Sequence, residues 1–313
     1  MIINKFFKSN QFVFDLFLEG KIASLYTSKV SNALTKKTIH TINSFGITPI
    51  KRVFIAKDIP EYLNIKLNNQ NTLKARKVNQ YKGYLVNLLN YATVEDYLKE
   101  NLSRRNRKNL FSKQRKLERN HKITNKVYFG NIDKSSFESI FNSFYDLLKK
   151  RFQEKKAHNR YLASWESLKT LAYKSILEKD ASLHIIFDNG TPITITLNFH
   201  RSDVVFSHIQ TYDTNYTSYN MGDISMLNHL KWCFENGISI FDLAIGKSDY
   251  KDKWCNYEYD FFYHIHYNNK SVISKIIAKI VFWELKILKS LRDRNIIGNL
   301  INFDKILYLI KKC

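Results

Sequence analysis

The feature that most restricts the fold is a change of hydrophobic period past the middle of the chain. Residues 182–188 (SLHIIFD) and 191–201 (TPITITLNFHR) read as two strands joined by Asn189-Gly190. Asn-Gly is the pair best able to take the positive φ angles of a two-residue hairpin turn. A third strand-like run, 204–213 (VVFSHIQTYD), follows at once. Residues 219–236 (YNMGDISMLNHLKWCFEN) then switch to helical spacing and stop at Gly237, before 238–246 (ISIFDLAIG) returns to strand character. A strand reached from its neighbour through a helix must run parallel to it. Upstream, 135–155 and 164–179 read as amphipathic helices, with Ser135 or Ser136 and then Ser164 as N-caps, and 258–268 (EYDFFYHIHYN) is a last strand. Helix, helix, three strands, helix, strand, short helix, strand predicts an α/β (α+β) domain on a mixed sheet.

Residues 1 to about 94 are less periodic: 52–56 (RVFIA) and 84–89 (YLVNLL) look like strands, and 92–120 reads as helix. Only 9 Gly and 3 Pro occur in 313 residues, against about 37 at average usage. That excludes collagenous and linker-rich classes. Asp15 and Glu19 interrupt the N-terminal apolar stretch, so no signal peptide is expected. No apolar run reaches the length of about 18 residues that a transmembrane helix needs. Cys233, Cys255 and Cys313 show no metal or disulfide spacing. The expectation is a cytoplasmic protein with free thiols.

The formal net charge of +22 is unevenly placed. Residues 103–122 hold nine Lys/Arg against Glu118, and 270–313 hold ten against Glu284, Asp293 and Asp304. The first segment, with Leu102, Leu110 and Leu117 on a narrow stripe, reads as a basic helix: either a solvated face or an anion site. In the second, Ile273, Ile276, Ile277, Ile280, Phe282, Trp283, Ile287, Leu288 and Leu291 cover most of a helix, with Lys275, Lys279, Lys286 and Lys289 towards the remainder. A shorter repeat, LINFDKILYLIKK, follows Gly298. A C-terminal helical hairpin packed on the protein is the favoured reading. Peripheral contact of 270–313 with an anionic membrane, at its inner face, is the lesser one.

The turn Asp188–Pro192, Thr211-Tyr212-Asp213, Gly222 opening a helix, Gly237, and above all Phe241, Asp242, Gly246, Tyr250, Lys251 and Trp254 in FDLAIGKSDYKDKW resemble the CelD/BcsL-type acyltransferases. These are a branch of the GNAT superfamily of N-acetyltransferases that includes the tandem-domain FemAB-like proteins. The resemblance covers about residues 84–268. It implies a divergent GNAT-like half with the basic helix over 1–125, a GNAT acyltransferase domain with a splayed central sheet over 126–269, and basic amphipathic helices over 270–313.

From the resemblance follow acetyl-CoA or another acyl-CoA as co-substrate, no metal, and a phosphate-bearing or lipid-linked acceptor in bacterial cell-surface polysaccharide biosynthesis. Pantetheine would pair with the backbone of Gln210, Thr211 and Tyr212, and the pyrophosphate would meet Tyr219, Gly222, Asp223, Ile224 and Ser225 at a helix start. Helix N-termini bind anions through their unpaired amides, although Asp223 opposes a phosphate and departs from the family's glycine-rich loop. Acyl transfer to an amine needs a base and an acid. Asp242 or Asp213 is the candidate base and Tyr250 the acid, against plainer roles as turn, cap or packing residues. Arg104, Arg105, Arg107, Lys108, His208 and Lys251 are candidates for acceptor binding, against a solvated face or a satisfied strand histidine; Trp254 reads as packing. His264 and His266 share a strand face without a third ligand, a weak metal signal. Two further readings remain: FemAB-like aminoacyl transfer from charged tRNA, and a non-catalytic basic module binding an anionic polymer or membrane.

Overall fold

A computed structural model describes residues 8–45, 53–68, 72–159, 161–294 and 296. Its strands are β1 (Lys8–Gln11), β2 (Lys21–Ala23), β3 (Lys29–Asn32), β4 (Thr38–His40), β5 (Ile42–Phe45), β6 (Val53–Pro60), β7 (Leu63–Asn64) and β8 (Leu73–Asn87). They continue with β9 (Ile123–Tyr128), β10 (Ala181–Asp188), β11 (Thr191–Arg201), β12 (Val204–Tyr212), β13 (Ile240–Ile245) and β14 (Tyr257–Asn268). The helices are α1 (Phe12–Glu19), α2 (Val94–Asn101), α3 (Arg104–Asn120), α4 (Lys134–Glu154), α5 (Trp165–Leu177), α6 (Met221–Glu235), α7 (Asp249–Trp254) and α8 (Val272–Asp293). Gly298, the LINFDKILYLIKK repeat, Arg52 and Cys313 lie outside the described residues.

The chain divides into two compact units. One holds the residues up to Leu85, Ala244–Lys251 and those from Tyr257, and the other holds Val86–Leu243 and Asp252–Asn256. In the first, β1 pairs parallel with β6, and β14 lies antiparallel between β6 and β8. Helix α8 lays Ala278, Val281 and Leu285 on Val53, Ile55, Val78, Ile265 and Tyr267, an i, i+3, i+7 stripe that fits one helix face. His266 Nε2 and the Tyr26 hydroxyl are 2.7 Å apart. Gly83 faces Tyr259 across β8 and β14.

In the second unit, β9, β10, β11 and β12 form an antiparallel meander and β13 joins β12 in parallel. Asn189 and Gly190 take φ of 47° and 83° at the tip of the β10–β11 hairpin, as their pairing predicts. Helix α4 packs on β12 and α5 on β10. Phe137, Ile140, Phe141, Phe144 and Leu148 give α4 its buried stripe. Its N-cap is Asp133, which accepts from the Ser136 amide at 2.8 Å, so the cap sits ahead of both expected serines. A carboxylate outcompetes a neighbouring hydroxyl as an acceptor for these amides. Ser164 closes a 3-10 turn and makes no side-chain cap to α5. The single helix expected over 92–120 is two: Thr93 forms a capping box on α2, and Ser103 caps α3 after a break at Leu102.

The layer between α6 and the sheet is polar. His184 stacks on His229 of α6 with ring centroids 4.1 Å apart, and Ser182 Oγ lies 3.1 Å from His184 Nε2 and 2.7 Å from His200 Nε2. Alternate residues Thr194, Thr196 and Asn198 on β11 share that strand face with His200 and are buried. Burial pushes the His200 imidazole down to about 3 and that of His229 to about 4, and holds His184 well below its ordinary range.

Candidate active site

Strands β12 and β13 pair over three rungs and then part. Val204, Val205 and Phe206 oppose Ile240, Phe241 and Asp242, and beyond this β12 continues to Tyr212 against β11. At the parting point β12 carries one extra residue: Leu197 opposes Ile209 and Asn198 opposes Ser207, which leaves His208 as the bulge. A bulge bends its strand and increases its twist, which turns β12 away from its parallel neighbour. The His208 ring packs edge-on against Tyr161 and Phe199, at 5.0 and 5.4 Å between centroids.

The diverging edge of β12 is held from one side. Arg151, near the end of α4, donates from Nη1 to the Gln210 carbonyl at 3.1 Å and lies 4.6 Å over the Tyr212 ring. Lys150 pairs with Asp213 at 3.4 Å, and Asp213 caps the following 3-10 turn, Thr214–Tyr219, through the Asn215 amide. Asp242, by contrast, is fully buried at the last paired rung. Phe241 beside it meets His229 at 5.3 Å on the α6 face, so the alternation of strand side chains sends Asp242 to the other face.

The 3-10 turn leads into α6, and its placement rests on Asp188 at the foot of the β10–β11 hairpin. The Tyr216 hydroxyl donates to Asp188 at 2.6 Å, and His121 Nδ1 lies 2.7 Å from the same carboxylate. The Tyr216 bond, with His121 and the Lys122 amide, holds the Asp188 carboxyl below its ordinary range, and it pushes the Tyr216 phenol up to about 12. His121 Nε2 stands 3.1 Å from the Tyr219 hydroxyl. Lys113 on α3 donates to the Ser218 carbonyl at 2.6 Å, and Lys116 lies 5.8 Å over the Tyr219 ring. The basic helix is therefore packed against the turn that opens α6.

Asn220, with φ of 56°, is the N-cap of α6 and gives it no side-chain cap. Asp223 and Ser225 are buried in its first turns beside Ile224, and Gly222 is partly open. The Asp223 carboxylate, which the sequence alone sets against a phosphate, is turned to the Lys253 ammonium at 2.5 Å and the Trp254 indole N–H at 2.8 Å. Trp254 also accepts the Tyr97 hydroxyl on its carbonyl. This start of α6 fits an anionic donor: Asn220 gives it no side-chain cap, the helix dipole is positive there, and the one nearby carboxylate is already compensated.

The other members of the FDLAIGKSDYKDKW string are placed by backbone needs. Ala244 and Gly246 take φ of 58° and 101°, and at the second value a side chain would be strained. Lys251 donates to the Ala244 and Ile245 carbonyls at 3.2 and 2.7 Å. Tyr250 is half-buried on α7. On α3, Arg104, Arg105 and Lys108 are exposed, whereas the Arg107 guanidinium donates to the carbonyls of Leu98, Lys99 and Leu102 at the end of α2. Arg151, His121, Tyr216 and Lys253 were not legible as site residues, because each acts through a partner at least 28 residues away. A depression of about 410 Å³ beside Asn142, Tyr145, Trp165 and Glu166 touches none of the candidate residues. Among the described residues no cluster of His, Cys, Asp and Glu could hold a metal ion.

Residues 104–252 match the acetyltransferase (GNAT) domain family. No curated protein sequence matches the chain. Among solved structures, FemX is similar at 9% identity and a TM-score of 0.51, over 73% of this chain and 75% of that one. L-PGS from Bacillus licheniformis is similar at 12% identity and 0.44, over 72% of each chain. A tandem GNAT protein from the clavulanic acid biosynthesis pathway is similar at 8% and 0.36, over 70% and 65%. At these identities a likeness speaks to fold alone, and only that to FemX is strong enough to do so. The matched segment begins at the basic helix and ends on α7, and it includes the parting strands and the uncapped helix. Residues 104–252 therefore form a GNAT-type acetyltransferase domain, the part of the chain that makes it an acyltransferase.

Proposed function

We propose that the protein is an acyl-CoA-dependent N-acyltransferase of the CelD/BcsL-like branch, acylating an amino group on a phosphate-bearing acceptor such as an amino-sugar precursor of cell-surface polysaccharide. The observation that carries this reading is the bulge at His208 where β12 leaves β13. It leaves the backbone of Gln210, Thr211 and Tyr212 on a diverging edge that runs towards the uncapped start of α6. An acyl-CoA would lie with its pantetheine along those three residues and its pyrophosphate near Gly222 and Ile224, and would bring a thioester to the gap.

The base role goes to Asp242 and not to Asp213, because Asp213 already caps a turn and pairs with Lys150. Asp242 would take the proton of the attacking amine, and Tyr250 would return one to the departing thiolate. Lys251 and Arg107 are left out of acceptor binding, since each is already turned to backbone carbonyls. Arg104, Arg105 and Lys108 remain to attract the acceptor's phosphate. Aminoacyl transfer from charged tRNA is a second reading, favoured by the exposure of those three cations.

Calorimetric titration with acetyl-CoA tests the first reading. Saturable binding that Asp242→Asn leaves intact while turnover falls by two to four orders of magnitude is expected. No heat at millimolar acetyl-CoA, together with activity abolished by ribonuclease, sinks it in favour of the tRNA reading.

A further inference from the structure

Helix α8 has two apolar faces, and among the described residues only one is packed. Ala278, Val281 and Leu285 are buried on the sheet. On the other side Ile273, Ile276, Ile280, Trp283 and Ile287, spaced three and four residues apart, are 67, 55, 61, 51 and 58% exposed. With Val272 at 68% they form a stripe of four turns, about 20 Å long at 1.5 Å per residue. Single exposed apolar residues need no explanation, but a contiguous row of this kind marks a contact surface.

Charge decides what it contacts. At 100° per residue, Lys275, Lys279 and Lys286 fall along one border of the stripe and Glu284 alone along the other. Lys286 also lies over the rings of Phe282 and Trp283, at 5.0 and 5.3 Å. The remaining charges are occupied: Lys289 pairs with Asp293 at 2.6 Å, and Arg292 donates to Gln80 at 2.6 Å. Two copies meeting antiparallel through the stripe would set the lysine border against itself. A parallel pair would gain one Lys279–Glu284 contact per side, which leaves Lys275 and Lys286 unmatched. An apolar face with a tryptophan in it and lysines along its edge instead fits an interface between anionic headgroups and acyl chains.

We propose that the outer face of α8 docks on an anionic lipid surface, its isoleucines and Trp283 entering the headgroup boundary and Lys275, Lys279 and Lys286 meeting the headgroup phosphates. The proposal does not depend on the acyl donor. It places the protein where a lipid-linked acceptor would be presented.

Vesicle flotation of the full chain tests it, with phosphatidylcholine alone and with one-third phosphatidylglycerol. Binding to the anionic vesicles, weakened by salt, is expected. The Lys275→Gln, Lys279→Gln, Lys286→Gln triple variant should lower the partition on the order of a hundredfold, at about fivefold per lysine. The Ile276→Asp, Ile280→Asp double variant should abolish it, and since both sites are exposed, the thermal melt should be unchanged. A full chain that fails to float with anionic vesicles overturns the proposal. So does binding indifferent to the lysines, or a self-association in sedimentation that the double variant removes while vesicle binding stays.

Discussion

Asp223 accepts the Trp254 indole N–H at 2.8 Å while its other oxygen lies 2.5 Å from the Lys253 ammonium. The carboxylate at the start of α6 is thus directed at the end of α7 and neutralised there. The helix dipole, positive at that end, stabilises it further. Two residues that looked unrelated in sequence, a misplaced acid and a packing tryptophan, form one clamp.

Removing one side of a buried pair leaves the other uncompensated. Asp223→Ala should therefore cost about 3 kcal/mol in urea unfolding, the low end of the usual range because the Lys253 side chain is 18% exposed. Asp223→Asn keeps an acceptor for the indole and should cost less than half of that. Equal losses for the two variants would show that the indole contact carries no weight.

Stability should fall as the solution is acidified below pH 6.5. His200, His264 and His266 are pushed down to about 3 and His229 to about 4 by burial, and His184 is held well below its ordinary range by the same cause, so all five are neutral. Their folded-state values lie below the unfolded value near 6.5. Their contribution is therefore complete above about pH 6.5 and is lost as pH falls towards 4, at up to about 1.4 kcal/mol per pH unit for each. Asp15, raised to about 6 by burial, works in the opposite direction but is one group against several. Urea midpoints at pH 7.5, 6 and 5 measure the slope, and a flat profile would contradict the assignment.

Gly83→Ala should destabilise the first unit by about 1–3 kcal/mol, the usual cost of overpacking. A Cβ there would stand 2.4 Å from Tyr259 Cζ and 2.6 Å from Phe261 Cε2. Adding Tyr259→Ala should recover part of the loss, and a thermal melt of the double variant checks the coupling.

Arg107 and its neighbours on α3 should separate. Arg107→Ala removes three bonds to the end of α2 and should cost about 1–2 kcal/mol. Arg104→Ala, Arg105→Ala and Lys108→Ala, all exposed, should each stay within about 0.5 kcal/mol. Melting curves of the four single variants decide it, and a uniform response would remove the distinction.

What could be read from the sequence was what is local. The Asn189-Gly190 hairpin, the parallel step through α6 and the amphipathic α4 and α8 each declare themselves within one window of residues. Strand β8 did not: ten of its residues, LKARKVNQYK, are polar or mixed, and they are strand because β14 runs beside them, about 180 residues later. The cap of α4 lies two or three residues ahead of the expected serines, since Asp133 accepts both the Ser136 amide and the Ser135 hydroxyl on one oxygen. The candidate site divided in the same way. The parallel step follows from element order and the parting strands with the α6 start follow from the family resemblance, while Arg151 on Gln210 and His121 on Asp188 depend on folding to bring them together.

A strand that leaves its neighbour exposes backbone groups to any extended chain, including another molecule's. In the span Ser207–Tyr212 such an edge would template intermolecular β-pairing during folding or storage. The Arg151 guanidinium donates to the Gln210 carbonyl in the middle of that span. A cation on that carbonyl removes one of the acceptors such a pairing would need.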